Sequence, residues 1–349
     1  MTHPKIFLQH GDTQSQNRLG RNAVTLLGLL TMLALLVLAN LLFGARTLPL
    51  TMLGKLWQPA ADDHLSLVLQ ARLPRLLCGM LAGMALAMAG CVIQALCRNP
   101  LADPGLLGVN AGASASLVTL GLWSATAGLS LFWQALPGAL LASALVYMMS
   151  RAQQSQGQSA AVRLILAGAA ISAVLGAYVQ ARVLLNPQLF DGFRYWMAGS
   201  LSGLGWPEFH ALWPYLLPAA ALLWLLAPAL NLMLLDNHTA KALGASQGWQ
   251  GLLAWLGATL LCAAATAIVG PLAFVGLASA HLARRYLTLN FRLLLPGAAL
   301  IGGAMVLLAD LLARVLMPPA ELLTGIMVAL LGAPFLYLMA RGQNLKEAS

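Results

Sequence analysis

Residues 105–150 contain no Asp, Glu, Lys or Arg, and residues 242–280 contain none either. A helix crosses the ~30 Å hydrocarbon core of a bilayer with ~20 mostly apolar residues, so each of these stretches has room for two crossings. Water offers no comparable way to shelter runs of that length. The rest of the chain agrees: 60% of its residues are hydrophobic and 8% are charged, whereas soluble domains carry about 25% charged residues. The mean hydropathy is +0.80. These features define an all-α, polytopic membrane protein.

Apolar runs of spanning length place crossings at about 23–44, 73–94, two within 105–150, then 163–185, 209–233, two within 242–280, 293–316 and 322–340. The breaks inside the paired stretches are expected near "SATAG" (124–128) and at Gly270-Pro271. Ten spans result. The first run, Ala23 to Ala45, exceeds the ~7–15 residues of a signal-peptide core and reads as a retained span. Residues 1–22 and 342–349 read as polar tails around one transmembrane domain, 23–341.

The net charge of +9 could suggest a nucleic-acid partner, but the basic residues sit at segment ends. An even span number puts both termini on one side. On that side would lie Lys5, Arg18, Arg21, Arg98, Arg151, Arg163, Lys241, Arg284, Arg285, Arg292, Arg341 and Lys346. The other side would hold Arg46, Lys55, Arg72, Arg75, Arg182, Arg194 and Arg314. The positive-inside rule therefore expects cytoplasmic termini. Cys78, Cys91, Cys97 and Cys262 form no CxxC pair and read as small hydrophobes, with no metal or disulfide role. Small residues at helical spacing, Gly79 and Gly83, then Gly168, Ser172 and Gly176, suit close helix packing.

Between the second and third spans the chain reads "CRNPLADPGLLGVNAGAS" (97–114). Asn99-Pro100 should end one helix, because a residue before Pro is pushed out of helical geometry. Asp103-Pro104 should start the next, with Asp as cap and Pro in the first turn. Asp310 and Arg314 stand four apart on one helical face, so an ion pair near the outer end of the ninth span is expected. That depth fits a structural pair presenting Arg314 outward better than a proton relay at the midplane.

The segment "ARLPRLLCGMLAGMALAMAGCVIQALCRNPLADPGLLGVNAGAS" (71–114) strongly resembles the permease subunits of ABC importers for ferric siderophores, haem and cobalamin. The likeness continues through "RLILAGAAISAVL" (163–175), "LLNPQLFDGFRYWMAGSL" (184–201), "AATAIVGPLAFVGL" (264–277), "LLADLLARV" (307–315) and "LLGAPFLYLM" (330–339). Within that family, "RNPLADPGLLGVNAGAS" and "ATAIVGP" resemble most the permeases for catecholate siderophores of the enterobactin kind. The resemblance implies the type II importer permease fold of ten helices in the bacterial inner membrane. It implies a second permease subunit, which is either a paralogue, as the enterobactin-like resemblance suggests, or a second copy of this chain, together with two separate ATPases and a periplasmic binding protein. The chain lacks G-x-x-x-x-G-K-[ST], which fits ATP being used by the partner and no cofactor bound here.

The resemblance also assigns roles. Arg72, Arg75 and Arg314 would receive acidic residues of the binding protein, as a planar guanidinium fork suits a carboxylate. The coupling loop, 234–248, would dock on the ATPase through Asp236, Ala240, Lys241, Leu243 and Gly244; Asp236 stands where relatives often have Gly. Asn99, Pro100 and Leu101 would form the cytoplasmic gate. Phe190, Phe193, Tyr195 and Trp196 would lie at the outer mouth against cargo. Ala280 stands before His281, where relatives commonly have Pro. Arg284 and Arg285 read as inner-face anchors. The rival classes are an ion-coupled secondary transporter, which would want ionisable residues at the midplane, and an intramembrane enzyme, for which no nucleophile–base or His/Glu metal constellation is present.

Overall fold

A computed structural model describes residues 5–44, 64–121, 130–152, 160–235, 248–318 and 320–334. The described elements are α1 (Lys5–Leu42), α2 (His64–Leu96), a 3-10 turn (Pro104–Leu107), α3 (Val109–Leu120), α4 (Leu131–Ala152), α5 (Ala160–Leu185) and α6 (Pro187–Met197). There follow α7 (Trp206–Leu225), α8 (Ala227–Met233), α9 (Trp249–Val269), α10 (Val275–Tyr286) and α11 (Phe291–Val315), then α12 (Thr324–Pro334). The described residues form no strand.

Each expected crossing has a helix, but six are long and apolar enough to cross by themselves, or seven if α7 and α8 count as one bent span. The third crossing is α3, twelve residues long, and the eighth is α10, also twelve. The final crossing is described only as far as Pro334. The break at Gly270-Pro271 is present: Gly270 adopts φ 73° and ends α9. That φ lies in the region glycine tolerates, and proline cannot donate to a continuing ladder. The break expected at 124–128 lies outside the described residues. The sixth crossing bends by 55° between α7 and α8, where Pro228 sits in the first turn of α8. Helix α1 starts at Lys5, so residues read as a polar tail continue the helix of the first span. No proline interrupts them, and helix propagation adds one hydrogen bond per residue once nucleated.

Helices α2 and α9 form the buried centre. Their neighbours approach through glycine. A Cβ on Gly90 of α2 would lie 2.4 Å from the Gly276 carbonyl oxygen of α10, and one on Gly112 of α3 2.2 Å from the Gly138 carbonyl oxygen of α4. In lipid, where helices gain no hydrophobic drive toward each other, such close backbone packing supplies cohesion. Gly83 on α2 serves it against Gly302 of α11, Gly79 makes room for the Leu201 side chain, and Gly176 on α5 faces open space. Hydroxyls add interhelical bonds: Ser143 with Thr259 at 3.1 Å, and Thr266 donating to Asn110 Oδ1 at 3.2 Å.

Candidate functional sites at the two ends of the bundle

Helix α2 carries one site at each end, with Arg75 and Leu96 separated by roughly 30 Å at ~1.5 Å per residue. At the Arg75 end, α2, α11 and α12 converge on Asp310, which is 1% exposed. Arg75 donates to Asp310 Oδ1 through Nε at 3.2 Å and Nη2 at 2.8 Å. Arg314 Nε, one turn beyond, lies 3.0 Å from Asp310 Oδ2. Thr324 Oγ1 adds a 3.3 Å bond to Oδ1. A carboxylate this buried is tolerable because two guanidinium groups and a hydroxyl satisfy it. The third Arg75 nitrogen, Nη1, reaches Glu321 Oε2 at 2.8 Å, and the Glu321 side chain is 32% exposed. Arg72 Nη1 donates to the Leu41 carbonyl at 2.7 Å.

The expected Asp310–Arg314 pair therefore forms, with a correction. Arg314 is 4% exposed and does not present its guanidinium outward. Asn40 of α1 draws it inward: its side-chain oxygen accepts from Arg314 Nη2, and the Phe43 carbonyl accepts from Nη1 at 3.2 Å. Arg72 and Arg75 are the half-buried members of the trio.

Beside this cluster lies a cavity of about 620 Å³, lined by Phe132, Tyr195, Trp196, Glu208, Glu321 and Leu323 among others. Its aromatic wall comes from Phe132 of α4 and from Tyr195 and Trp196 of α6. Pro187 sits in the first turn of that helix, and the helix places Tyr195 outward and Trp196 inward. Trp196 Nε1 donates to the Ala267 carbonyl at 3.3 Å. Tyr195 and Trp196 thus line the cavity. Phe193 does not: it is buried and stacks against Trp196 at 6.2 Å, and it is absent from the lining. Helical spacing put it a turn behind the wall. Phe190 lies on α6, and its side chain is outside the described residues.

At the other end, α2 stops at Leu96, short of Asn99. The Asn99 Oδ1 accepts from the Leu101 N–H at 2.9 Å, closing a turn that leaves Leu101 49% exposed and Pro100 exposed. Asp103 caps as expected, accepting from the Gly105 N–H at 2.9 Å. The capped element is the 3-10 turn, and α3 starts only after Gly108 at φ 74°. Burial pushes the Asp103 carboxyl up, while the Gly105 bond opposes the shift. Arg98 takes φ 46° and donates through Nη2 to the carbonyls of Met233 and Leu235, at 3.3 and 3.2 Å. Met233 is the last residue of α8, and Leu235 lies two residues beyond it. Arg284 donates to Gln94 Oε1 and, at 3.5 Å, to the Cys91 carbonyl. Arg98 and Arg284 thus lie at one end of α2, and Arg72, Arg75 and Arg314 at the other.

The coupling positions Asp236, Ala240, Lys241, Leu243 and Gly244 lie outside the described residues. Sequence reasoning missed Asn40, Glu208, Glu321 and the Arg98 clasp. Glu208 carried a local signal, a carboxylate three residues after a capping glycine; its Oε2 accepts from the Gly205 N–H at 2.9 Å. All four cysteines are buried free thiols. Among the described residues, no three His, Cys, Asp or Glu side chains gather to hold a metal ion.

A helix bundle with broken crossings and distinct polar clusters at its two ends is the architecture of a polytopic membrane protein, and the comparisons with known proteins make it a permease, a transport component rather than an enzyme. The chain belongs to the FecCD transport family, which matches residues 32–341. It is 41% identical over 324 residues to the ferric enterobactin transport system permease protein FepD of Escherichia coli (strain K12), covering 91% of this chain and 95% of that one. It is 37% identical to the hemin transport system permease protein HmuU of Yersinia pestis, over 91% of this chain and 96% of the relative. Among solved structures it resembles a metal-chelate type ABC transporter in an inward-facing conformation, with a TM-score of 0.76 and 28% identity over 92% of this chain and 99% of that one.

Proposed function

We propose that this chain is half of the membrane pathway of an ATP-driven importer in the bacterial inner membrane, and that its cargo is a ferric siderophore of the catecholate, enterobactin-like kind. A periplasmic binding protein delivers the cargo to the Arg72–Arg75 end. Two ATPase subunits act at the Arg98 end through Asp236, Ala240, Lys241, Leu243 and Gly244, and a paralogous permease completes the pathway. ATP belongs to the ATPases, and this chain binds no cofactor. Asn99, Pro100 and Leu101 form the inner gate; Tyr195 and Trp196 meet cargo at the outer mouth. Both termini are cytoplasmic.

The observation that supports this reading is the separation of two unlike polar sites along α2. A guanidinium cluster beside an aromatic-walled cavity occupies one end, and an exposed Asn99–Leu101 turn tied to the end of α8 occupies the other. A transporter that takes cargo from one partner and energy from another needs two such faces. Alternating access then follows as a shift between packings of the bundle. The similarity to FepD supports the cargo class. Asp310, held by Arg75 and Arg314 at the Arg75 end, suits a structural role better than a proton relay.

The test is uptake of labelled complexes by cells lacking this chain, with and without its return. Restored ferric enterobactin uptake, with haem and cobalamin uptake unchanged, is expected. Restoration of cobalamin or haem uptake alone overturns the cargo assignment. Loss of uptake on collapse of the proton gradient at constant ATP overturns the energy source.

A further inference from the structure

Arg75 is held along two edges of different character. Asp310 takes Nε and Nη2 at 1% exposure, and Glu321 takes Nη1 at 32% exposure. The first partner sits on α11, with Arg314 and Thr324 bound to the same carboxylate. The second sits in the non-helical stretch before α12, where the Leu322 N–H is anchored to the Ala313 carbonyl at 3.0 Å. Glu321, Leu322 and Leu323 also wall the 620 Å³ cavity. One side chain therefore belongs both to the arginine cluster and to the cavity.

We infer that Glu321 is an internal stand-in for a partner's carboxylate: an acidic side chain of the docking protein takes over Arg75 Nη1, and the released Glu321 lets residues 320–323 move away from the cavity. This rests on the reading of Arg72 and Arg75 as a docking surface. Among the described residues, the cluster brings Arg72, Arg75 and Arg314 together with the carboxylates of Asp310 and Glu321. Exchanging one carboxylate for another on Arg75 is nearly neutral in charge, so the partner's acidic side chain has only to compete with Glu321. Asp310 cannot be the group displaced, because it is buried and shared by two arginines; a half-exposed pair costs far less to part. Arg75 keeps its orientation throughout, because Asp310 still holds two of its nitrogens and leaves Nη1 aimed at the partner. Docking then does two things in one step: it seats the partner and loosens the cavity wall that its cargo must pass.

The experiment uses the assembled importer in lipid nanodiscs, with its cargo-loaded periplasmic binding protein as probe. E321Q keeps the shape and removes the competing charge. It should tighten docking by roughly three- to thirtyfold at low salt, with the gain shrinking as ionic strength rises. A second readout is thiol labelling of Leu323→Cys; the native cysteines are buried, so background is low. Labelling should quicken on docking in the Glu321 protein, and should already be fast without the binding protein when E321Q is added. If E321Q does not assemble, Glu321→Ala takes its place with the same expectations. Docking that is unchanged or weaker, with labelling as slow as in the parent, overturns the exchange. R75E separates the two ideas: unchanged docking in R75E overturns the docking surface itself, whereas loss in R75E without gain in E321Q overturns only the exchange.

Discussion

Gly83 and Gly302 meet backbone to backbone. A Cβ on either would lie within 2.4 Å of the other's carbonyl oxygen, 2.4 Å from Gly83 and 2.3 Å from Gly302. The contact joins α2 to α11, the helices that carry Arg75 and Asp310. Neither partner is a movable side-chain tip, so the helices themselves must separate to admit a methyl group. Gly83→Ala or Gly302→Ala should each destabilise by about 1–3 kcal/mol, the usual range for overpacking. Gly176→Ala, on the open face of α5, should cost little steric strain by comparison. Thermal unfolding in detergent compares the three; equal loss in all would contradict the geometry.

Asp310 is the charge that Arg75 and Arg314 share. Asp310→Ala leaves two guanidinium groups partly buried without it, and breaking a buried pair typically costs about 3–5 kcal/mol. Low yield and a lowered melting temperature are expected. Asp310→Ala together with Arg314→Leu should recover part of the loss, because fewer uncompensated charges remain. A double variant worse than the sum of its parts would refute that account.

Arg98 holds the last carbonyl of α8 and that of Leu235 just beyond it, while its own backbone sits at φ 46°. Arg98→Gly relaxes the backbone, since glycine adopts that φ freely, but deletes the clasp. If the clasp ties the Asn99–Leu101 turn to the ATPase side, Arg98→Gly should leave the complex assembled and raise the ATP hydrolysed per cargo imported by severalfold. Arg98→Lys, with a donor still in reach, should behave closer to the parent. An unchanged ratio in Arg98→Gly would remove the link.

Asp103 supplies a pH dependence. Burial raises its folded carboxyl above its unfolded value, so folding favours the protonated form. The resulting stability is full below the ordinary carboxylate value of ~3.9 and is lost as pH climbs through the folded value. Asp103→Asn keeps an acceptor for the Gly105 N–H and should flatten this part of the profile. Asp103→Ala should also lose the cap, about 0.5–2 kcal/mol by analogy with helix caps. Melting temperatures from pH 4 to 7 check both; a parent that gains stability as pH rises relative to Asp103→Asn would reverse the sign.

Local chemistry was legible in the sequence wherever neighbours in the chain decide the outcome. Gly270-Pro271 broke α9 because of its own backbone, Asp103 capped its own turn, and Asp310 met Arg314 one turn away. The Arg75–Asp310 contact spans 235 residues of sequence, and no local pattern announces it. Burial of Arg314 depended on Asn40 in the same way, 274 residues distant. The resemblance groups Phe193 with Tyr195 and Trp196, but its place one turn before Trp196 stacks it against that ring and away from the cavity lining. Pro228 did signal the bend after α7, but the continuous apolar run around it favoured one straight span. Crossing lengths were the weakest part, because hydropathy reports where lipid is tolerated and not where a helix stops.

Past the end of α9, the chain leans on two other places. The Ser200 N–H donates to the Val269 carbonyl at 3.0 Å, and the Gly325 N–H to the Gly199 carbonyl at 2.9 Å. A Cβ on Gly270 would strike the Trp196 carbonyl oxygen at 2.0 Å, and one on Gly325 the Ala198 carbonyl oxygen at 2.1 Å. Three distant stretches therefore interlock at positions that admit no side chain. Drift at any one of them cannot be absorbed by its own loop, so a side chain placed at Gly270 or Gly325 displaces the backbone of the 196–199 stretch as well.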